Sequence, residues 1–567
     1  GDRIAITYGE KLNSDGTVQK LGGSDGVCSN WWPHAYNQQD IYISAGKENE
    51  SFEPKFSYKG FQYVQIDGYP GELTADDLEI YRVSNDVAIA SEIETSNTMV
   101  NQLHKLMRTT LLNNFQGKPT DTPVWEKNGW LGDANAGLLT MLYNFDMSNY
   151  LPNFIEIMED CFNLYGTVPD MVPTAGWWLN GNAAVWNTIY VIGTAELWNT
   201  YGMENYTEVQ YDSMRQFALK DMEEIEKNGW VWVDGQLSDW CSPVGGSNPD
   251  VGYNEGDSEG SRICGTAFVY KMLSCMKDIA ENLGKTADAK EYADAMANIY
   301  TAFNQSFYNK PKGIYETGRF NQVGSRTEYR QTSNLAALAF GFVPEEYVET
   351  VVANLVKDIE EKNYHLDTGV VGTRLILPVL CDYGYSQVAY RILTQDTYPS
   401  WGYWLSQGAT SAWEMWEKTS RSLDHYFLGT YDEWLYSHLA GITDAKDGYK
   451  TFTIHPYLVG DIDYVNASLQ TVRGKVESNW SLNADGTATM KLTVPVGSTA
   501  TVYFPTARTS NIRLDGERLT TSLDGVKEVS FDGTQIYAVI GSGEYSFTTG
   551  TDLTSLYTDS LAEAIKT

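Results

Sequence analysis

The sequence predicts a multidomain protein in which a helical domain lies between an N-terminal and a C-terminal antiparallel β-sandwich. Residues 1–92 hold short aromatic and β-branched runs, residues 93–444 show helical periodicity, and apolar residues alternate from residue 445 onward. A chain of 567 residues is also long enough for about three domains.

The N-terminal assignment rests on runs such as KFSYKGFQYVQIDG, which are broken by Gly, Pro and Asp and lack helical periodicity. The period changes near residue 93, where apolar residues take the spacing of one helix face: Met99, Leu103, Leu106, Met107 and Leu111. The same spacing recurs in VPEEYVETVVANLVKDIEEKN, whose proline suits the first turn of a helix. We therefore expect helices from residue 93 to residue 444.

In the C-terminal part, the segment SLNADGTATMKLTVPV alternates apolar and polar residues, and Asp485 and Gly486 predict a hairpin turn. Every second residue from Ala488 to Val496 is apolar, so these side chains should point to one side of a sheet. The last segment, TDLTSLYTDSLAEAIKT, predicts a helical tail outside the sandwich.

Charge and composition narrow the choice of partner. A formal net charge of −34 would repel phosphate backbones and anionic lipids, which disfavours nucleic acid and membranes as partners. The six Cys and six His show no metal-ligand spacing, so we expect neither a metal nor another cofactor. Seventeen tryptophans favour a neutral carbohydrate ligand, because indole faces stack on sugar rings.

The start of the chain does not indicate a cellular location. It begins at Gly1 without an initiator methionine, a basic stretch or an apolar signal segment, so we expect that a targeting peptide was removed or that the start was trimmed. No apolar run approaches the roughly 20 residues that span a bilayer. A secreted, periplasmic or cytoplasmic location stays open, as does the oligomeric state.

The segment TDTPVWEKNGWLGDA, residues 120–134, gathers Asp121, Glu126 and Asp133 around Trp125 and Trp130. Hydrolysis of a glycosidic bond needs a carboxylic acid that donates a proton and a second carboxylate. An indole environment disfavours the ionised form of a carboxyl group, which suits Glu126 to proton donation. The alternative is a solvated acidic loop with Asp121 as a helix cap.

A second carboxylate candidate lies far downstream in YPSWGYWLSQGATSAWEMWEKTS, where Glu414 stands between Trp413 and Trp416. A carboxylate between two indoles is uncommon on a plain surface. The alternative is a helix N-terminus, where acidic residues are favourable in the first turn.

These segments resemble motifs of the α-L-rhamnosidase family of bacterial and fungal glycoside hydrolases, family seventy-eight. Members carry a pattern close to D-C-P-x-R-E-K-x-G-W-x-G-D-A, and the chain reads D-T-P-V-W-E-K-N-G-W-L-G-D-A from Asp121 to Ala134. The resemblance covers nearly the whole chain. It implies an (α/α)6 six-hairpin toroid over residues 93–444, flanked by β-sandwiches at residues 1–92 and 445–567.

The resemblance also implies residue roles. Glu126 would be the general acid, and Glu414, in a segment similar to the family's Y-P-S-W...G-A-T-T-x-W-E, would be the general base of an inverting mechanism. SLDHYFLG and LSDWCSP resemble two further family segments. Sugar contacts are implied for Asp121, Trp125, Trp130, Asp133, Trp178, Asp239, Trp240 and His425, although a lone histidine is more often structural.

The chain departs from the family pattern at several positions. Thr122 stands for a cysteine, Trp125 for an arginine and Asn182 for an aspartate, and Asp424 stands where asparagine is common. An arginine offers five fixed donors, whereas a tryptophan offers one donor and a large apolar face. The hydroxyl pattern that this wall recognises therefore stays open.

The sequence predicts an inverting, exo-acting glycoside hydrolase that releases terminal α-L-rhamnose or a related sugar from a polysaccharide or glycoside. Alternatives are an inactive carbohydrate-binding protein, a glycosidase for another sugar, and a polysaccharide lyase. Retention of both carboxylates disfavours the first, and the lack of a basic cluster disfavours the lyase. For inversion, the carboxyl groups of Glu126 and Glu414 should lie about 6.5 to 9.5 Å apart.

Overall fold

A computed structural model describes residues 1–19, 38–174, 181, 183–233, 237–243, 261–316 and 329–552. Trp178, Asn182 and the predicted helical tail from residue 553 onward lie outside these residues. Within them, a helical middle part lies between two sheet-rich ends, as the sequence predicts.

The N-terminal part is built on a three-stranded antiparallel sheet. Strand β1 (Arg3–Gly9) is central and pairs with β2 (Gln39–Ile43) and β3 (Tyr63–Asp67). Alternate residues of β1 are buried, which is the pattern of a sheet with one covered face. Residues 1–19 and 38–90 form this one sheet, so the second layer of the predicted N-terminal sandwich is not seen among them.

The next strand, β4 (Ser91–Thr95), crosses the predicted domain boundary at residue 92. It pairs antiparallel with β9 (Tyr464–Thr471), so it extends a C-terminal sheet instead of the N-terminal one. Sequence periodicity identifies a strand but not the partner to which it binds, because the partner is far away in the chain.

The helical part begins at α1 (Thr98–Asn114), where the Asn97 side chain accepts hydrogen bonds from the backbone N–H groups of Met99 and Val100. The predicted apolar stripe is buried in α1 at Leu103, Leu106, Met107 and Leu111, whereas Met99 is only partly buried.

The described helices after α1 follow in this order: α2 (Leu131–Ala136), α3 (Leu138–Asn144), α4 (Tyr150–Tyr165), α5 (Ala184–Asn187), α6 (Ile189–Tyr201), α7 (Glu204–Lys227), α8 (Ser261–Asn282), α9 (Thr286–Phe307), α10 (Gln331–Ala339), α11 (Glu345–Glu361), α12 (Val370–Asp382), α13 (Ser386–Leu393), α14 (Trp401–Ser406) and α15 (Tyr431–Trp434). Consecutive helices pack against each other, for example α8 with α9 and α12 with α13. A short hairpin of β5 (Tyr308–Asn309) and β6 (Ile314–Tyr315) follows α9.

The C-terminal part contains the remaining strands: β7 (Ile442–Lys446), β8 (Thr451–Ile454), β9, β10 (Gly474–Leu482), β11 (Ala488–Val494), β12 (Thr499–Tyr503), β13 (Ile512–Leu514), β14 (Glu517–Arg518), β15 (Val526–Phe531), β16 (Ile536–Ile540) and β17 (Gly543–Thr549). They form a seven-stranded sheet in the order β14-β13-β17-β11-β10-β9-β4 and a five-stranded sheet in the order β15-β16-β12-β8-β7. Among these strands β8 and β12 pair in parallel, so the prediction of purely antiparallel sheets is wrong at that ladder.

Apolar side chains fill the space between the two C-terminal sheets. Phe547 of β17 and Phe504, which follows β12, have ring centroids 5.1 Å apart. The predicted turn at Gly486 joins β10 to β11, and the alternate residues of β11 are buried as predicted. Val496 differs because it lies beyond the end of β11 and is 84% exposed.

Candidate active site

Two loops of the helical part meet at the candidate site: residues 120–130, between α1 and α2, and residues 412–425, between α14 and α15. The second loop folds back on itself, because the Glu414 N–H donates to the Ser422 carbonyl and the His425 N–H donates to the Ala412 carbonyl. The hydroxyls of Thr122 and Ser422 lie 2.9 Å apart and join the loops. Carboxylates almost 300 positions apart in sequence are thereby neighbours.

Arg421 lies between the two predicted catalytic carboxylates. Its Nη2 donates to Glu126 Oε1 at 3.1 Å and to Glu414 Oε1 at 2.8 Å, and its Nε donates to Glu414 Oε2 at 3.2 Å. Because one nitrogen contacts both Oε1 atoms, those two atoms can be at most about 6 Å apart. This bound concerns one oxygen of each group, so it does not decide between the separations of inverting and retaining enzymes.

The Glu414 side chain is almost completely buried, with 3% exposed, whereas 23% of Arg421 is exposed. Burial alone would raise the pKa of Glu414. The charges of Arg421 and His425 outweigh this effect, with help from hydrogen bonds donated by Arg421 and by the Ser422 N–H, so the pKa lies below its ordinary value. Glu414 is therefore kept ionised, which is the state that a general base requires.

Glu126 is held on its other side by tryptophan. The Trp130 Nε1 donates to Glu126 Oε2 at 2.7 Å, so both carboxylate oxygens accept a hydrogen bond. The guanidinium carbon of Arg421 lies 5.9 Å from the centre of the Trp125 ring. Both predicted indole side chains are partly exposed and flank the carboxylate pair.

A buried ion pair lies beside these carboxylates. The Nε2 of His425 is 2.6 Å from Asp133 Oδ1, and both side chains are at least 94% buried. Burial would lower the pKa of His425, but the charge of Asp133 and its hydrogen bond, together with the charge of Glu414, raise that pKa to about 9. The imidazole therefore adds a second positive charge near Glu414.

Asp121 and His425 each have one buried polar atom without a hydrogen-bond partner among the described residues. Asp121 Oδ1 accepts the Asn128 N–H at 2.8 Å, while Oδ2 is buried without a hydrogen-bond partner among the described residues. The same holds for His425 Nδ1 within the described part of the chain. Burial and the charge of Glu126 raise the pKa of Asp121, so this carboxyl can carry a proton at a higher pH than an exposed aspartate.

Asp239, a predicted sugar contact, has a structural role in the described part of the chain. Its Oδ2 accepts hydrogen bonds from the Thr332 hydroxyl at 2.7 Å and the Gly369 N–H at 2.9 Å. Its Oδ1 accepts the N–H groups of Val371 and Gly372 at the start of α12. Four hydrogen bonds reach the two oxygens of this fully buried carboxylate, so Asp239 caps the start of α12, and its sugar contact stays a prediction.

Trp240, another predicted sugar contact, directly precedes Cys241. It is partly exposed, and its neighbour Cys241 is near enough to Glu414 that the charge of Glu414 adds to burial in raising the pKa of the Cys241 thiol.

Among the described residues, no group of three or more His, Cys, Asp or Glu side chains is placed to hold a metal ion. None of the described helices combines the length and apolarity of a membrane span.

Sequence reasoning missed Arg421 and also Glu10, which reaches this site from the N-terminal sheet. Arg421 stands seven positions after Glu414 and four before His425, so a basic residue between two acidic motifs was the available signal. Glu10 carries no comparable signal, because only the tertiary fold brings the end of β1 to the loop after Glu414.

Residues 88–439 match the family model of the bacterial alpha-L-rhamnosidase 6 hairpin glycosidase domain. The chain belongs to this family, as the sequence motifs predict. Residues 441–518 match the C-terminal domain of bacterial alpha-L-rhamnosidases, and residues 1–84 match their concanavalin-like domain.

Several relatives resemble the chain over nearly all of its length. Alpha-L-rhamnosidases of Streptomyces avermitilis and Formosa agariphila are both 28% identical, over 97% and 96% of this chain and 50% and 57% of theirs. The solved alpha-L-rhamnosidase from Dictyoglumus thermophilum has a TM-score of 0.83 at 30% identity, over 97% of this chain and 59% of its own. The Streptomyces avermitilis enzyme complexed with L-rhamnose has a TM-score of 0.81 at 27% identity, over 97% and 50%. The chain thus spans about half the length of the curated relatives it matches.

Proposed function

We propose that this chain is an inverting, exo-acting α-L-rhamnosidase that releases a terminal rhamnose, or a related sugar, from a polysaccharide or glycoside. The observation that carries the proposal is the Arg421 bridge, which holds Glu126 and Glu414 side by side. Two carboxylates at one site are the groups that glycoside hydrolysis requires. Family membership supports the choice of sugar.

The proposed domain organisation follows the same family. Residues 93–444 would form the (α/α)6 toroid, and residues 1–92 and 445–567 would form the flanking β-sandwiches. The two apposed C-terminal sheets and the packed helix pairs support this division. The position of β4 suggests a boundary nearer to residue 96 than to residue 92.

In the proposed reaction, Glu126 donates a proton to the leaving oxygen while Glu414 removes a proton from the attacking water. Glu126 accepts hydrogen bonds on both oxygens, from Trp130 and from Arg421. When Glu126 carries the catalytic proton, its O–H would face the substrate, while its oxygens keep the capacity to accept from these two donors. Arg421 keeps two hydrogen bonds to Glu414 in either case.

The sugar would be recognised by polar atoms that the protein itself leaves unused. Asp121 Oδ2 and His425 Nδ1 have no hydrogen-bond partner among the described residues, and a hydroxyl group can both donate and accept. We propose that these atoms, with Asp133, bind sugar hydroxyls. The predicted stacking surfaces, Trp125, Trp130, Trp240 and Trp178, belong to the same proposal.

A panel of aryl glycosides tests the substrate class. We expect hydrolysis of the aryl α-L-rhamnoside with a kcat/KM at least about tenfold above that of the α-L-fucoside, α-L-arabinoside or β-D-glucuronide, because a hydrogen-bonding pocket rejects sugars whose hydroxyls leave its polar groups unpaired. Release of the aryl group is followed by absorbance at fixed enzyme concentration. Faster hydrolysis of another glycoside would replace rhamnose, and binding of rhamnose without any hydrolysis would favour a carbohydrate-binding protein.

A further inference from the structure

The end of strand β1 contacts the backbone on both sides of Arg421. Glu10 directly follows the strand, and its Oε2 accepts the Leu423 N–H at 3.1 Å. The ammonium group of Lys11 donates to the Thr419 carbonyl at 3.3 Å and to the Ser420 carbonyl. Glu10 thus binds the loop two positions after Arg421. Lys11 binds it one and two positions before Arg421.

The loop needs such support because Arg421 must span two carboxylates. One guanidinium nitrogen contacts both Oε1 atoms, and such a constellation works only when its groups are held within about 0.5 Å of the productive geometry. Within the loop, the Glu414 N–H to Ser422 carbonyl bond and the Ser420 hydroxyl bonds fix one side. The contacts from Glu10 and Lys11 come from a different domain and fix the other.

The pKa of Glu10 is set in part by groups of the candidate site. Burial raises its pKa to about 7, the Leu423 N–H and Lys11 lower it, and the charge of Glu414 raises it. The side chain of Trp125 lies near enough to Glu10 to favour its charge. Glu10 and Glu414 are thus close enough for their charges to interact.

We propose that Glu10 and Lys11 are positioning residues that hold Arg421 between Glu126 and Glu414, so that the N-terminal part completes the active site of the helical part. This inference rests on the proposed function of the carboxylate pair. Neither residue touches the reacting atoms in this account. Both act through the backbone of residues 419–423.

Paired substitutions separate positioning from general support of the fold. Lys11→Met and Glu10→Leu remove the contacts, whereas Lys11→Arg keeps a donor and Glu10→Gln keeps an acceptor for the Leu423 N–H. We expect the first two variants to lower kcat about tenfold and to shift the acidic limb of kcat/KM to higher pH, because a displaced Arg421 no longer lowers the pKa of Glu414. The two conservative variants should stay within about twofold of the wild type.

A matched control and a double-mutant cycle complete the test. Gln65 lies in β3 of the same N-terminal sheet and accepts the Val18 N–H. Gln65→Leu removes this acceptor and none of the contacts to residues 419–423, so it should leave the pH profile unchanged. In an Arg421→Met background, Lys11→Met should have no further effect on kcat, since its action passes through Arg421. Additive losses in that background, or an unchanged pH profile in Lys11→Met and Glu10→Leu, would overturn the inference.

A crystal structure of Lys11→Met gives a readout that does not depend on hydrolysis. We expect Arg421 to lose its contact with at least one of the two carboxylates. If Arg421 still bridged Glu126 and Glu414, the inference would fail even though the proposed function stood. If the wild type hydrolysed no glycoside but Arg421 moved in the variant, the proposed function would fail and the positioning role would stand.

Discussion

Replacement of Glu126 or Glu414 by glutamine is expected to lower kcat by about a hundredfold or more. An amide in place of Glu126 cannot protonate the leaving oxygen, and an amide in place of Glu414 cannot remove a proton from the attacking water. The Arg421 bridge makes both carboxylates part of one constellation. The measurement is steady-state hydrolysis of an aryl α-L-rhamnoside by each variant, with far-UV circular dichroism as a check that the fold is retained.

Glu417→Gln is the matched control for this pair. Glu417 lies three residues after Glu414, and the Tyr398 hydroxyl donates to its Oε2 at 3.4 Å. We expect its kcat to stay near the wild-type value. A Glu126→Gln or Glu414→Gln variant that hydrolysed the rhamnoside as fast as Glu417→Gln would remove that residue from its proposed role.

Arg421→Met is expected to lower kcat by about a hundredfold and to move the acidic limb of the pH–rate profile upward. Arg421 lowers the pKa of Glu414, whereas burial raises it, so without the guanidinium the proposed base would be protonated at a pH where it is now ionised. Activity should therefore be lost first at the acidic end of the profile. The measurement is kcat/KM between pH 4 and pH 9 for the variant and the wild type.

The same substitution should lower the free energy of unfolding by about 3 kcal/mol, the low end of the range for breaking a buried ion pair, because Glu414 is buried and Arg421 is 23% exposed. Arg421→Lys keeps the charge, but a single ammonium group cannot reproduce the three hydrogen bonds, so we expect partial recovery of the pH profile and little recovery of kcat. Lys418→Met removes an exposed lysine three residues away and serves as the control. An acidic limb that stayed in place in Arg421→Met would contradict the proposed effect on Glu414.

Local periodicity predicted much of the fold. The apolar stripe of α1 is buried at Leu103, Leu106, Met107 and Leu111, and the hairpin at Gly486 forms where the turn residues indicate. These features depend on interactions between residues close in sequence. The partner of β4 and the parallel pairing of β8 with β12 depend on distant segments, which periodicity does not report.

The motifs identified residues that the fold brings together, whereas the roles of these residues stay predictions. Glu126 and Glu414 do lie together, but the motif around Asp239 does not disclose that four hydrogen bonds from the scaffold already occupy its oxygens. The departure at Trp125 removes an arginine from one loop. Arg421, on the other loop, places its guanidinium carbon 5.9 Å from the centre of the Trp125 ring and contacts Glu126, which the motif does not disclose.

The stereochemistry of the first product tests the central claim most directly. If Glu126 protonates the leaving oxygen while Glu414 activates water on the opposite face of the ring, cleavage of an α-L-rhamnoside must release β-L-rhamnose first. Proton NMR during the first minutes of hydrolysis separates the two anomers before they interconvert. We expect the β anomer to appear first, whereas initial release of the α anomer would make Glu414 a nucleophile and contradict the account.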